Sequence, residues 1–330
     1  MTTTMRYLLQ LHGNLPIETY PEVAARAEEL GFEDVTVHDV LLRRPVWPVL
    51  CDIARATSRI KVGPNVTHPY LSHPVQIAAN IAHLDELSGG RAMLGIGRGS
   101  MYELVGQTNP ATLRGVREAI DVIRHLITGD GSEYRGKVFQ LGKSAALHFG
   151  TGRRIPVYLG ALGPKGAQLA GEHCEGLRLA AQWDPAYASM LREHLIAGAA
   201  AAGRTPDDVD FVVENWTYVH PDRELARSGA RRILATFLPH LGPLLSFHNV
   251  PQVEVEAARA ATRDGQTERL AEISDRTLDL FMAAGDLDDL VAGIKRLEAA
   301  GFGAVSFSGE LGPDPEMALE LIGQAIRATG

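Results

Sequence analysis

Short strand-like runs and amphipathic helical runs alternate along almost the whole chain, and this constrains its fold more than any single motif. Residues 7–11, 35–38, 60–66, 92–96, 156–160, 176–180, 210–219 and 304–308 read as strands. Between them 20–30, 48–56, 74–87, 114–126, 164–173, 185–202 and 286–300 read as helices. In 114–126 the residues Val116, Ile120, Ile123 and Leu126 share one face, with Ile127 just beyond. Strands separated by helices pair in parallel, because a crossover must return the chain to the same edge. Eight such units favour an α/β fold of the (β/α)8 TIM-barrel type. An open doubly wound sheet wants a GxGxxG after the first strand, and Leu11-His12-Gly13-Asn14 does not supply one. The rhythm breaks at 129–154, read as a β-rich excursion, and at 222–284, read as a helical insertion. One domain over 1–330 is expected.

Composition narrows the partners. A net charge of −8 with no basic cluster argues against nucleic acid. No apolar run approaches the roughly 20 residues that span a bilayer, so no membrane is expected. The start MTTTMRYLLQLHG lacks the charged, then apolar pattern of a signal peptide. Cys51 and Cys174 form no zinc pattern, which fits a reduced, cytoplasmic setting. No metal site is expected. HExxH, a P-loop and a GxSxG with partners are absent, so hydrolytic and NTPase chemistry lose ground.

Three strand ends carry the candidate chemistry. Gly95-Ile96-Gly97-Arg98-Gly99 closes the fourth strand. It reads either as a close-packed corner or as a phosphate site, and a guanidinium among exposed amides favours the second. Leu162-Gly163-Pro164-Lys165-Gly166 turns the fifth strand into a helix, whose first amides and dipole suit a phosphate, with Lys165 adding charge. Asn65-Val66-Thr67-His68 ends the third strand before Pro69 and reads as plain extended chain or as a bulge supporting a planar ring. For proton handling the candidates are His38 and Asp39, directly after the second strand, with His12 and Glu103.

These residues resemble the bacterial luciferase-like superfamily, and within it the branch that uses the deazaflavin coenzyme F420, typified by methylenetetrahydromethanopterin reductase. The resemblance is densest in ATSRIKVGPNVTHPYLSHP, ANIAHLDELSGGRAMLGIGRG and IPVYLGALGPKGAQLAGEHCEG. It implies a TIM-type barrel with an insertion and a non-proline cis peptide at Asn65–Val66, backing the cofactor ring. It also implies Asp39 near that ring, cofactor-binding loops at Arg98-Gly99 and at Leu162 to Gly166, and a homodimer.

Three positions depart from the family pattern: Val40 stands where His is usual, Gln10 where the reductase has an acid, and Ser100 where an acid is common. The departures imply a substrate other than the family's pterin or a sugar phosphate. The resulting expectation is an F420-dependent oxidoreductase moving a hydride between the deazaflavin C5 and a small organic substrate of CH–OH, CH–NH or C=C type. An FMN-dependent monooxygenase and a non-catalytic flavin-binding protein are the alternatives. Substrate choice is expected in 40–48, with Arg43, Arg44 and Trp47, in 101–113 and in 222–284.

Overall fold

The structure, a computed structural model, describes residues 5–100, 102–106, 112–149 and 152–330. In chain order its elements are β1 (Arg6–Leu11), α1 (Thr19–Leu30), β2 (Asp34–Val37), α2 (Val46–Ala56), β3 (Lys61–Pro64), α3 (Pro74–Leu87) and β4 (Leu94–Gly97). Then come α4 (Leu113–Thr128), the two-residue strands β5 (Tyr134–Arg135) and β6 (Gln140–Leu141), β7 (Val157–Gly160), α5 (Pro164–His173) and β8 (Gly176–Leu179). The rest is α6 (Pro185–Ala201), β9 (Asp210–Val219), α7 (Arg223–Phe237), α8 (Gly242–His248), α9 (Gln252–Arg263), α10 (Asp275–Phe281), β10 (Met282–Gly285), α11 (Leu287–Ala299), β11 (Ala304–Leu311) and α12 (Pro315–Thr329).

The strands hydrogen-bond in the order β3-β2-β1-β11-β9-β8-β7-β4, with β10 on β9. Parallel bridges Val62–Ala92 and Thr67–Ile96 join the β3 and β4 segments, so the two ends of this path meet. That order, with helices between, is the (β/α)8 class. By contacts the chain divides into two units. One holds residues up to Leu8, Leu179–Glu193 and Phe211–Gly330; the other holds Leu9–Arg178 and His194–Asp210.

In the second unit, α4 shows how sequence sets an element. Thr112 caps it by accepting from the Gly115 amide at 3.0 Å, and Gly129 ends it in the left-handed region at φ 72°. Its apolar face, Val116, Ile120 and Ile123, is fully buried. The same unit buries an ion pair between Arg178 of β8 and Asp34 of β2, 1% and 3% exposed, with Arg178 also 3.6 Å from the Met93 sulfur. In the first unit Arg227 of α7 ties the insertion together. It is 2% exposed and reaches Asp279 at 2.9 Å, Asp275 at 3.1 Å and the Ala284 carbonyl at 3.2 Å.

Several boundaries differ from the sequence reading. The third strand ends at Pro64 rather than 66, because the chain leaves the ladder in a bulge whose Asn65–Val66 peptide is cis. Among its described residues, the excursion at 129–154 holds only the short β5–β6 hairpin. The insertion at 222–284 ends in β10, Met-Ala-Ala-Gly, which has no β-branched residue to mark a strand. No helix among the described residues is long and apolar enough to cross a membrane.

Candidate active site

The bulge after β3 is held from three sides, all within the second unit. From β1, the buried Gln10 donates its side-chain amide to the Asn65 carbonyl in a short hydrogen bond. From β4 and β7, Gly97 and Gly160, partners in the parallel ladder, leave room for the Val66 side chain. A Cβ on Gly97 would stand 2.9 Å from Val66 Cγ2, and one on Gly160 would stand 2.5 Å from Val66 Cγ1. Both are closer than packed carbon atoms allow. The glycines of these strand ends are therefore required by close approach.

Beyond the bulge, Thr67 donates its hydroxyl to Asp39 Oδ2 at 2.6 Å, joining the ends of β2 and β3. His68 lies buried, with Nδ1 3.0 Å from the Tyr102 hydroxyl, which itself contacts the Arg98 carbonyl at 2.7 Å. Burial pushes the Tyr102 phenol up to about 12. Burial also lowers His68, although Asp39 opposes this. Gly99 sits at φ +70°, and a Cβ there would meet the Tyr102 hydroxyl at 2.4 Å. Thus Asp39, Val66, Thr67, His68, Arg98 and Gly99 gather at one set of strand ends.

The second loop continues from Gly160. Gly163 is the uncapped N-cap of α5, and a Cβ added to it would meet nothing within 4 Å. Pro164 opens the helix and Lys165 is exposed on its first turn, whereas Gly166 is buried against Ala161. A helix N-terminus without a side-chain cap, beside a lysine, is an arrangement that can hold an anion. Among the described residues no group of three His, Cys, Asp or Glu could hold a metal.

His12 and His38 pair with each other rather than with Asp39: their rings are 4.8 Å apart at 64°. Burial, then the Arg43 charge, lowers His12 to about 4. His38 retains some solvent exposure as a residue, yet burial of its ring and the nearby His12 lower it to about 3. Both are neutral at pH 7. Of the substrate-loop candidates, Arg44 anchors the loop, its amide on the Gly13 carbonyl at 2.8 Å and its Nε on the Leu15 carbonyl at 2.6 Å, while Arg43 is exposed. The Glu103 side chain and residues 107–111 lie outside the described residues.

Sequence reasoning missed two members of this site. Tyr102 was hidden because a tyrosine just past a glycine loop looks like surface. Gln10 was read only as a missing acid, although its alternation with the apolar Leu9 and Leu11 in β1 was available as a signal.

A luciferase-like monooxygenase family model matches residues 4–304. The chain belongs to this luciferase-like family. A 5,10-methylenetetrahydromethanopterin reductase of Archaeoglobus fulgidus is 35% identical over 91% of this chain and 92% of its own length. An F420-dependent glucose-6-phosphate dehydrogenase of Microbacterium testaceum is 29% identical over 91% and 89%. Among solved structures, the coenzyme F420-dependent tetrahydromethanopterin reductase of Methanopyrus kandleri superposes with a TM-score of 0.92 at 28% identity, covering 99% of this chain and 100% of that one. The cis peptide expected from the luciferase-like resemblance is present at Asn65–Val66.

Two pH-dependent results follow for this luciferase-like chain. His12 and His38 have folded values below the usual 6.5, so as pH falls below about 6.5 the unfolded chain takes up protons first. Their contribution should cost stability progressively from pH 6.5 down to about 4, and further towards 3 for His38. Melting temperature against pH should show this decline, and His12→Asn combined with His38→Asn should flatten it. An unchanged slope in the double variant would refute the assignment.

Gln10→Glu should behave oppositely in sign. Only a protonated glutamic acid could donate to the Asn65 carbonyl, so its folded value should rise above the unfolded value of about 4.3. The variant should match wild type at low pH and fall behind it as pH rises through that folded value. A constant difference in melting temperature from pH 4 to 8 would sink the hydrogen-bond assignment.

Proposed function

We propose that this chain is a coenzyme F420-dependent oxidoreductase, exchanging a hydride between the deazaflavin C5 and a substrate carbon bonded to nitrogen. The observation that carries this reading is the cradle built by the Asn65–Val66 bulge against Gly97 and Gly160, beside Arg98, Gly99 and the open N-terminus of α5. The residues present fit such a cofactor. Val66 would back the ring, His68 and Arg98-Gly99 would line it, and the amides of Gly163 and Lys165 with the Lys165 charge would hold a phosphate. When bound, the deazaflavin supplies the hydride chemistry.

The chain's own residues supply orientation and charge. Gln10 and Val66 fix the backbone behind the ring. Asp39, held by Thr67, brings an acidic side chain to the same strand ends. His12 and His38 are themselves neutral near pH 7. Neither imidazole suits the proton of an alcohol, so an alcohol would have to use Asp39 or His68 as its base, whereas a carbon–nitrogen centre asks for none. Dehydrogenating an alcohol requires a base for its hydroxyl proton, and imidazoles at about 4 and 3 are poor bases at pH 7. Hydride delivery to a C=N⁺ centre requires no such base. The reductase relative, 35% identical, supports the same class. A homodimer belongs to this reading.

The deciding measurement is fluorescence quenching with F420 and FMN side by side at one salt concentration. It is followed by two anaerobic assays: oxidation of reduced F420 by a methylene-bridged reduced pterin, and reduction of oxidised F420 by a secondary alcohol or by glucose 6-phosphate. F420 preference with turnover of the pterin is expected, which reverses the sequence expectation of another substrate: Gln10 is engaged on the Asn65 carbonyl, and the 35% identical relative is a pterin reductase. Preference for FMN with oxygen uptake would move the assignment to a monooxygenase. Binding without turnover would leave a carrier, and binding of neither would refute the cradle as a cofactor site.

A further inference from the structure

The Tyr102 hydroxyl stands at the centre of the candidate site, yet no role assigned above requires a phenol there. The side chain is fully buried, its ring meets His68 edge to face at 5.3 Å and 80°, and the bare Cα of Gly99 makes room for its oxygen. A carbonyl oxygen can only accept, so the single hydroxyl proton must point at the Arg98 carbonyl, 2.7 Å away. The phenol oxygen then faces His68 Nδ1 at 3.0 Å with only lone pairs left, so Nδ1 must donate. A neutral imidazole carries one proton, and His68 is biased towards neutrality by burial. Nε2 is consequently left as a hydrogen-bond acceptor.

We propose that Tyr102 is a positioning residue: its hydroxyl locks His68 in the Nδ1–H form and clamps the Arg98-Gly99 loop to the bulge segment after β3. The donor chain runs from His68 Nδ1–H to the Tyr102 hydroxyl to the Arg98 carbonyl. It links two segments, 65–68 and 98–99, that arrive from different strands. In the cofactor reading, on which the second half of this inference rests, His68 Nε2 offers a fixed acceptor to a ligand N–H. A donor there would repel the same group.

Nitrogen-15 NMR of histidine-labelled protein without any cofactor tests the first half. Wild type is expected to show His68 as the Nδ1–H tautomer, and Tyr102→Phe to lose that preference while the melting transition stays cooperative. An Nε2–H tautomer in wild type, or an unchanged tautomer in Tyr102→Phe, overturns the proposal.

F420 binding tests the second half. Tyr102→Phe should weaken it about tenfold, the effect of losing one well-placed hydrogen bond. His68→Asn should weaken it too, and should leave no further loss when combined with Tyr102→Phe. Wild-type affinity in Tyr102→Phe, with the tautomer released, overturns the clamp. If wild type binds no F420, the cofactor reading fails while the NMR result still decides the tautomer.

Discussion

Replacing Arg178 by methionine should lower the unfolding free energy by about 3–5 kcal/mol, read as a shift of the urea midpoint. The reason lies in what remains. Asp34 is 3% exposed and pairs with Arg178, which is 1% exposed, so the variant keeps a carboxylate buried without its cation. The guanidinium also lies 5.3 Å from the Tyr158 ring centre, and the Tyr158 hydroxyl donates to Asp210 at 3.0 Å. Burial, reinforced by Asp210, raises that phenol well above its ordinary value, so it stays neutral and can donate. Removing Arg178 therefore disturbs a polar group of four side chains, against a total stability of about 5–15 kcal/mol for an ordinary domain. The double variant Arg178→Met with Asp34→Leu should recover most of the loss, because two apolar groups leave no charge unpaired. A single variant within about 0.5 kcal/mol of wild type would show the pair to be dispensable.

Gly160→Ala should damage the site more than the fold. The new methyl would meet Val66 Cγ1 at 2.5 Å, and Val66 cannot retreat towards Gly97, whose Cα already lies against its Cγ2 side. Overpacking of this kind costs about 1–3 kcal/mol, relieved by moving the bulge. Because the bulge is the proposed backing of the cofactor ring, F420 affinity should fall about tenfold or more, while the melting temperature drops only a few degrees. Adding Val66→Ala returns the space and should restore affinity. Unchanged binding in Gly160→Ala would mean that the bulge does not set the ring's position.

The alternating strands and helices were legible because each element carries its own local signal. Helix α4 has an N-cap threonine, a 3.6-residue apolar period and a terminal glycine, all readable within 113–129. Strand β10 was not legible, since Met-Ala-Ala-Gly becomes a strand only by pairing with Trp216–Val219 of β9. The site divides in the same way. Arg98-Gly99 and Gly163-Pro164-Lys165 announce themselves by residue type at a strand end. By contrast, the low values of His12 and His38 come first from burial, then from Arg43 beside His12 and from His12 beside His38, which no local pattern encodes.

By itself, the sequence determined the α/β alternation, the glycine-lined strand ends and the departures at Gln10, Val40 and Ser100. These properties depend on residues within a few positions of one another. Only the tertiary structure decided that Gln10 supports the Asn65 carbonyl 55 positions away, that Arg178 pairs with Asp34 across 144, and that Tyr102 meets His68 across 34. Such partners are chosen by strand register and ring closure, and by the cost of burying a polar group without one.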